Sequence, residues 1–370
     1  MKEGLNMAGS THGNLFKITT WGESHGKGIG VVIDGCPAGL SLCERDIQVF
    51  LNRRRPGQSN YTTSRKESDT VQILSGVFEG KTTGTPISLI VYNEDQRSRD
   101  YGQIASCYRP GHADITFDAK YGFRDYRGGG RSSGRETVAR VAAGAVAIKI
   151  LSTLGIDICT YTKSIGPIES VTFDIDEVTN NPLCMPDACA AKAAREYLDK
   201  CISEENSSGG IIECIVKGLP AGLGEPVFDK LDANLAKAIF SIGAVKGFEI
   251  GSGMNAATAT GLSHNDVLSA DDLGTITKGS NNAGGILGGI SDGSDLILRA
   301  AFKPTPSIAA TQSTINNKHE NIDINIKGRH DPIIVPRAVV VVEAMTALTL
   351  VDALLSNMGS RMEYLDMFYK

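Results

Sequence analysis

Aromatic side chains are scarce in this chain, at 6 % of residues with Trp21 the only tryptophan. Binding of single-stranded nucleic acid draws on stacking residues beside basic ones, so that class is disfavoured. A basic excess is missing too. The net charge is −5, which argues against a general binder of nucleic acid or membrane surfaces and leaves only local basic clusters. The eight cysteines (Cys36, Cys43, Cys107, Cys159, Cys184, Cys189, Cys201, Cys214) form no C-x-x-C pair. None sits at zinc spacing, so no metal is expected, and scattered thiols fit a reducing cytosol. No secretory leader is visible, and the apolar stretch Val138 to Leu154 is broken by Arg140 and Lys149. It reads as a buried helix rather than a membrane span. Two nucleotide-binding motifs also fail. Gly22 to Lys27 is one residue short of a phosphate loop and lacks the following Ser or Thr. Gly26-x-Gly28-x-Gly30 leads into a strand, where the dinucleotide fingerprint opens a helix.

Glycine, by contrast, is abundant at 42 of 370 residues, within a composition of 41 % hydrophobic and 21 % charged residues. That is normal for a globular protein with a sizeable core. The chain is organised around Arg124 to Ala145. Gly128 to Gly130 lets the backbone turn tightly and approach a ligand. Arg131, Ser132 and Ser133 supply charge and hydroxyls, and a helical pattern starts at Glu136 and runs through Ile150. Glycines, serines and a helix start describe an anion site, where free amides and the positive helix end face the ligand. Arg124, Arg127, Arg131, Arg135 and Arg140 accompany it. The competing reading is an RGG-like flexible segment or a plain surface helix.

Periodicity predicts strands at Leu15–Trp21, Val31–Asp34, Val71–Gly76, Pro86–Tyr92, Ile211–Val216 and Asp295–Phe302. It predicts helices at Ser41–Arg55, Asp187–Ser203, Phe228–Ile242 and Val341–Asn357. The turn between the first two strands presents Ser24 and His25, and Arg109 to Asp114, which holds His112, reads as a loop. Gly35-Cys-Pro-Ala-Gly-Leu40 returns as Gly218-Leu-Pro-Ala-Gly-Leu223, each after an apolar strand and before an amphipathic helix. A duplicated α/β unit and the chance return of a common turn weigh equally on this pattern.

His25 and His112 sit in glycine-bounded turns, and His330 lies between Arg329 and Asp331. A histidine beside arginines is a candidate proton donor to an anionic group; its bland reading is a structural histidine. Arginines with Ser/Thr hydroxyls and glycine amides suit phosphates and carboxylates. The residues thus point to an enzyme acting on a small phosphorylated or polycarboxylated substrate, and leave the reaction type open.

The motifs together resemble the chorismate synthase family. They are Phe16 to Gly26 with Gly-Glu-Ser-His-Gly, Arg53-Arg-Arg-Pro-Gly57, Tyr108-Arg-Pro-Gly-His-Ala-Asp114, Tyr126-Arg-Gly-Gly-Gly-Arg-Ser-Ser133, Arg135-Glu-Thr137, Arg140-Val-Ala-Ala-Gly144, Ala283 to Ser291, and Gly328-Arg-His-Asp-Pro332. They stand in family order over nearly the whole chain, and Asp157 to Ser208 carries little of the match.

The resemblance implies a mixed α/β (α+β) fold: one compact β-α-β sandwich domain over residues 7–370, with an internally duplicated αβ core. Residues 1–6 would be a remnant or an upstream start. It implies a carbon–oxygen lyase: 1,4-anti elimination of phosphate from 5-enolpyruvylshikimate 3-phosphate to chorismate, the last common step of the shikimate pathway to aromatic amino acids. Reduced FMN would be required, donating an electron transiently with no net redox change. By motif match FMN would be held by Arg131, Ser132, Ser133, Gly243, Ala244, Gly288, Lys303, Pro304, Thr305, Pro306, Ser307 and Arg329. His25 would protonate the departing phosphate, and His112 would protonate or stabilise the reduced flavin. Asp331, with Ser24 and Ser133, would help remove the ring proton. Arg54, Arg55, Arg135 and Arg140 would clamp substrate anions or contact NADP. Asn60 stands where many relatives carry an arginine associated with NADPH, and no reductase domain is seen, so NADPH enters only as an indirect reductant through a separate flavin reductase. A cytoplasmic, monofunctional homotetramer is implied, with neither nucleic acid nor membrane as partner. Two other readings stay open: a flavin reductase sharing the site, and an RNA binder using Arg127 to Arg131.

Overall fold

Segments with one apolar face pair into antiparallel sheets, and segments apolar on every side must lie where both sides are covered. Both kinds occur here. The computed structural model describes residues 9–58, 61–62, 67–94, 104–274, 276–326 and 331–370.

The first half holds β1 (Thr11–His12), β2 (Lys17–Gly22), β3 (Gly28–Asp34), α1 (Glu44–Arg54), β4 (Val71–Ser75), the hairpin β5 (Val77–Phe78) and β6 (Lys81–Thr82), β7 (Ile87–Tyr92), α2 (Asp114–Tyr121) and α3 (Thr137–Thr153). Its sheet runs β1-β2-β3-β7-β4, antiparallel throughout. In β2, burial alternates as a half-covered strand requires, with Ile18 and Thr20 facing inward. The second half holds β8 (Asp157–Ile165), β9 (Ile168–Glu169), α4 (Ile175–Asn180), α5 (Ala188–Ser203), β10 (Gly210–Lys217), α6 (Leu231–Phe240), β11 (Val245–Ile250), α7 (Gly261–His264), the hairpin β12 (Leu268–Ala270) and β13 (Ile276–Lys278), a second tight hairpin β14 (Ile286–Leu287) and β15 (Ile290–Ser291), β16 (Leu296–Phe302), β17 (Gln312–Ile315), β18 (Asn321–Ile324), α8 (Val335–Asn357) and α9 (Met362–Tyr369). Its main sheet runs β11-β16-β10-β8-β9, again antiparallel.

Among the described residues, α3 and α8 are the helices buried on most of their sides. Val138, Ala142, Ala143 and Val146 of α3 are buried, as is every residue of α8 from Val335 to Val351 except Arg337. α3 packs on β2, β3 and β7, α8 packs on β8 and β10, and the two helices pack on each other. Their crossing is set by Gly144: a Cβ there would stand 2.3 Å from the Ala344 Cβ. α8 has the length and hydropathy of a membrane span, yet most of it is buried in the protein. One apolar core runs from Phe16 to Val351. At the far end of α8, Asp352 accepts the backbone N–H groups of Asn14, Leu15 and Phe16 at 2.7 to 3.0 Å.

The expected mixed α/β architecture is present. α8 begins six residues before the predicted Val341, because Pro336 falls in its first turn, where a missing N–H costs nothing. Asp114, the last residue of the predicted loop, instead starts a helix that runs to Tyr121 and is closed by left-handed Gly122. Two 3-10 turns, Gly130–Ser132 and Gly134–Glu136, precede α3.

The turns after β3 and β10, which share the Pro-Ala-Gly-Leu sequence, are held alike. Thr82 Oγ1 donates to Pro37 O at 2.6 Å and accepts from Leu40 N at 2.9 Å, while Gly39 N donates to Thr82 O at 2.8 Å. Ser291 Oγ donates to Pro220 O at 2.6 Å and accepts from Leu223 N at 2.9 Å, while Gly222 N donates to Ser291 O at 2.8 Å. Thr82 and Ser291 each end a tight hairpin that leads into β7 or β16.

Candidate active site

The hairpin of β2 and β3 turns at Glu23–Lys27, and Ser24 and His25 are buried in that turn. Ser24 Oγ and His25 Nδ1 lie 2.8 Å apart. The glycine run covers them from the other side. Gly128 has φ +65, and a Cβ there would stand 2.5 Å from Ser24 Oγ and 2.6 Å from His25 Cε1. No residue with a side chain fits, which is why the run is glycine here. Asp125, just before it, is held below the usual carboxylate range; burial opposes this, but bonds from Arg127 outweigh it, and His25 adds to it.

Next along the patch is the Arg109 to Asp114 loop. Arg109 donates two parallel hydrogen bonds to Asp114, Nε to Oδ2 and Nη2 to Oδ1, both at 2.8 Å, and its Nη2 comes within 3.7 Å of where a Gly129 Cβ would be. Burial pushes the Asp114 carboxyl up, but its bonds from Arg109 and the nearby His112 bring it down overall. His112 Nε2 and Ser307 Oγ lie 2.6 Å apart, and Lys303 Nζ donates to Gly111 O at 2.6 Å. The Lys303 to Ser307 segment therefore lies directly on the His112 loop, with Pro306 packed over Gly111. Burial, then Lys246, pulls Lys303 below its ordinary value. Left-handed Ala244 (φ 75) accepts the Lys303 N–H at 2.9 Å, and nothing stands within 4 Å of the Gly243 Cβ position. Thr305 Oγ1 is buried with no hydrogen-bond partner among the described residues.

Asp331 takes a bond from Arg337 Nη1 at 2.8 Å, and Arg337 Nε donates to Arg54 O at 3.3 Å. Ser208 N donates to Pro332 O, and Ser207 Oγ to Thr305 O, joining this corner to the Lys303 segment. Ser24, His25, His112, Gly243, Ala244, Lys303 to Ser307 and Asp331 are thus linked through the segments that carry them; Ser133 follows the glycine run, its Oγ accepting from Arg135 N at 3.3 Å. Gly288 is not among them. It lies in the β14–β15 hairpin before β16, whereas Lys303 follows β16; the seven residues of that strand separate the two by roughly 20 Å at about 3.3 Å per residue. Arg329 and Asn60 lie outside the described residues.

Most of the arginines that mark the sequence are bound to the chain itself. Arg54 is 3 % exposed; its Nε donates to Thr137 Oγ1 at 3.1 Å, Nη1 to Asp69 at 3.4 Å and Nη2 to Gly134 O at 2.6 Å. Burial, and then Arg337, pulls it down to about 9, still high enough to stay cationic at neutral pH. Arg135 donates Nε to Asn93 at 2.9 Å, Nη2 to Glu67 at 3.4 Å, and Nη1 to Asp69. Arg140 reaches away from this cluster, with Nη1 on Ser241 Oγ and Nε on Glu136. Arg131 donates to Thr20 Oγ1 at 2.8 Å and Gly22 O at 3.2 Å. Arg55 is exposed. Asp69, Glu67, Asn93 and Arg337 escape the sequence reading because nothing in their local pattern says which distant arginine or carboxylate they meet.

The patch is an array of hydroxyls, amides and cations around two histidines. It can bind phosphate and carboxylate, and it can hold and deliver protons. Among the described residues no cluster of His, Cys, Asp and Glu could hold a metal ion.

The family model described as "Chorismate synthase" matches residues 16–355. A chorismate synthase of Agathobacter rectalis is 69 % identical over 98 % of this chain and 100 % of its own length. One from Methanosarcina mazei is 55 % identical over 95 % of this chain and 97 % of its own. A solved structure described as "Crystal Structure of Chorismate Synthase" superposes with a TM-score of 0.75 at 33 % identity, covering 96 % of each chain.

Proposed function

The chain belongs to the chorismate synthase family, and from that premise we propose that the patch of Ser24, His25, His112, Asp331 and Lys303 to Ser307 binds reduced FMN and 5-enolpyruvylshikimate 3-phosphate side by side. The activity is the family's lyase reaction, which gives chorismate for aromatic amino acid synthesis. The observation that carries the site reading is the contact between the Lys303–Ser307 segment and the His112 loop. Two motifs separated by nearly two hundred residues meet there, around a buried hydroxyl, Thr305 Oγ1, that lacks a partner among the described residues.

These residues fit FMN. Lys303, Thr305 and Ser307 supply a cation and hydroxyls, the Gly243–Ala244 turn leaves room for close approach, and Ser132 and Ser133 lie at the glycine run. Bound there, the flavin would supply electron density for C–O cleavage with no net redox change. The protein's own part is positioning and proton handling. Because Ser24 engages His25 Nδ1, proton delivery to the departing phosphate falls to Nε2. His112 would stabilise negative charge on the flavin. Asp331, with Ser24 and Ser133, would take part in removing the ring proton, and Arg337 would hold its carboxylate. Exposed Arg55 is the substrate-anion clamp we favour, while Arg54, Arg135 and Arg140 hold the frame.

Several broader readings go with this. The two sheets with α3 and α8 between them fit a β-α-β sandwich in one domain. The sheet orders β2-β3-β7-β4 and β8-β10-β16-β11 correspond strand for strand, and the matching Thr82 and Ser291 turns favour a duplicated αβ core over chance. The protein would be cytoplasmic and homotetrameric. Leu262, Leu273 and Phe228 are each more than nine-tenths exposed, an apolar cost that subunit contacts would remove, and Gly288 would reach a flavin patch from a second subunit.

The test is anaerobic: protein, substrate and chemically reduced FMN, with product absorbance and the flavin spectrum followed together. Chorismate and phosphate formed with the flavin still reduced at the end support this reading. No product, with NADPH oxidised steadily in air, would favour a flavin reductase.

A further inference from the structure

The turn that carries Ser24 and His25 is held from beneath by one side chain. Asn93, the residue after β7, donates Nδ2 to Glu23 O at 3.1 Å and to Gly26 O at 2.8 Å. Its Oδ1 accepts from Arg135 Nε at 2.9 Å, and its own backbone N–H closes on Lys27 O at 3.1 Å. Both amide hydrogens and the amide oxygen are therefore used, and the pattern fixes which way the amide faces: only NH2 can serve two carbonyls, and only oxygen can serve a guanidinium. The two carbonyls bracket Ser24 and His25 in sequence. Arg135 is immobilised in turn by Asp69 and Glu67, which are 0 % and 5 % exposed. From above, Gly128 closes against the His25 ring. The imidazole thus lies between a glycine face and a floor whose height Asn93 sets.

We infer that Asn93, oriented by Arg135, is a positioning residue for His25, and that Arg135 acts through this amide rather than by gripping substrate anions. The inference rests on the reading of His25 as the proton donor. It also accounts for Arg135 being buried with its three nitrogens directed at Asn93, Asp69 and Glu67. A group misplaced by about 1 Å can lose about a hundredfold in rate, so a floor residue can matter without touching substrate.

Three variants test it. Asn93→Asp keeps an oxygen for Arg135 but sets a carboxylate oxygen against two carbonyls; kcat should fall by about 10- to 100-fold, with KM and FMN affinity within about twofold. Arg135→Lys keeps the cation opposite Asp69 and loses the Nε–H; it should lower kcat with KM unchanged, whereas a substrate clamp would raise KM. In a His25→Ala background, Asn93→Asp should add less than about threefold, since residues acting through one group are not additive. A readout independent of turnover is the Cε1–H signal of His25 in the apo protein, identified by its loss in His25→Ala. It should shift in Asn93→Asp while the thermal midpoint and circular dichroism stay near those of the parent. Unchanged kcat with an unmoved His25 signal, full multiplicativity with His25→Ala, or a raised KM in Arg135→Lys would each overturn the inference. If His25→Ala turns over normally, the reading of His25 fails instead, and the His25 signal still decides whether Asn93 positions the ring.

Discussion

Asp69 shows what single residues do here. It is fully buried, sits at φ 49 and faces both Arg54 and Arg135. A left-handed backbone is unfavourable for a residue with a Cβ, so the site tolerates strain to keep this carboxylate between two guanidiniums. Removing it leaves Arg54 buried without its paired carboxylate and Arg135 with Glu67 alone. Asp69→Ala should therefore cost about 3–5 kcal/mol, read by urea unfolding. Asp69→Gly, which relieves the backbone but not the charge, should stay strongly destabilised; recovery to parental stability in the glycine variant would show that backbone strain, not charge, dominates. The arginine-rich motifs are plain in the sequence, but their partners are not. Arg135 finds Asp69 across 66 residues and Arg53 finds Glu343 across 290, and a local pattern carries no record of such pairings.

At the scale of elements, strands and helices were legible because their periodicity is local and their apolar faces are continuous. Ends were less so, since they depend on caps. Asp187 is one such cap: its carboxylate accepts Ala190 N at the start of α5 and also Val171 N and Thr172 N. Those N–H groups hold it far below the usual carboxylate range. The sign is then fixed. A carboxyl lowered by folding contributes stability that is present above its unfolded value, about 3.9, and is lost as pH falls through that value towards the folded one. Asp187→Ala should cost about 1–2 kcal/mol at pH 7, with the gap to the parent narrowing below about pH 4 in parallel unfolding titrations. A gap constant with pH would mean the cap is not ionised. Gly144 makes the complementary point by close approach. Gly144→Val would force α3 and α8 apart and should destabilise by about 1–3 kcal/mol or more; an unchanged urea midpoint would mean the crossing has slack.

The whole molecule reads as two halves of similar topology sharing one core, with the candidate site on loops from both. Sequence pattern caught one trace of this, the repeated Pro-Ala-Gly-Leu turn. It missed the other, the glycines of Gly76-x-x-x-Gly80-x-Thr82-x-Gly84 returning as Gly285-x-x-x-Gly289-x-Ser291-x-Gly293, because the residues between them differ and only the shared hairpin makes the spacing visible. The site's residues were legible as motifs, while their assembly needed the fold: the sequence places Lys303 nearer to Gly288 than to Gly111, and the structure reverses that. Light scattering on the purified protein should give about four times the monomer mass, and a monodisperse monomer would leave the exposed apolar side chains unexplained.

The Asp352 carboxylate, holding the backbone of Asn14 to Phe16, ties the first strands to the last long helix. The order in which the chain is read should then matter little. A circular permutant that joins Lys370 to Gly9 by a flexible linker long enough to span them and opens in the exposed Asp271–Gly274 turn keeps the described strand pairings intact, and should fold to the same architecture from new ends.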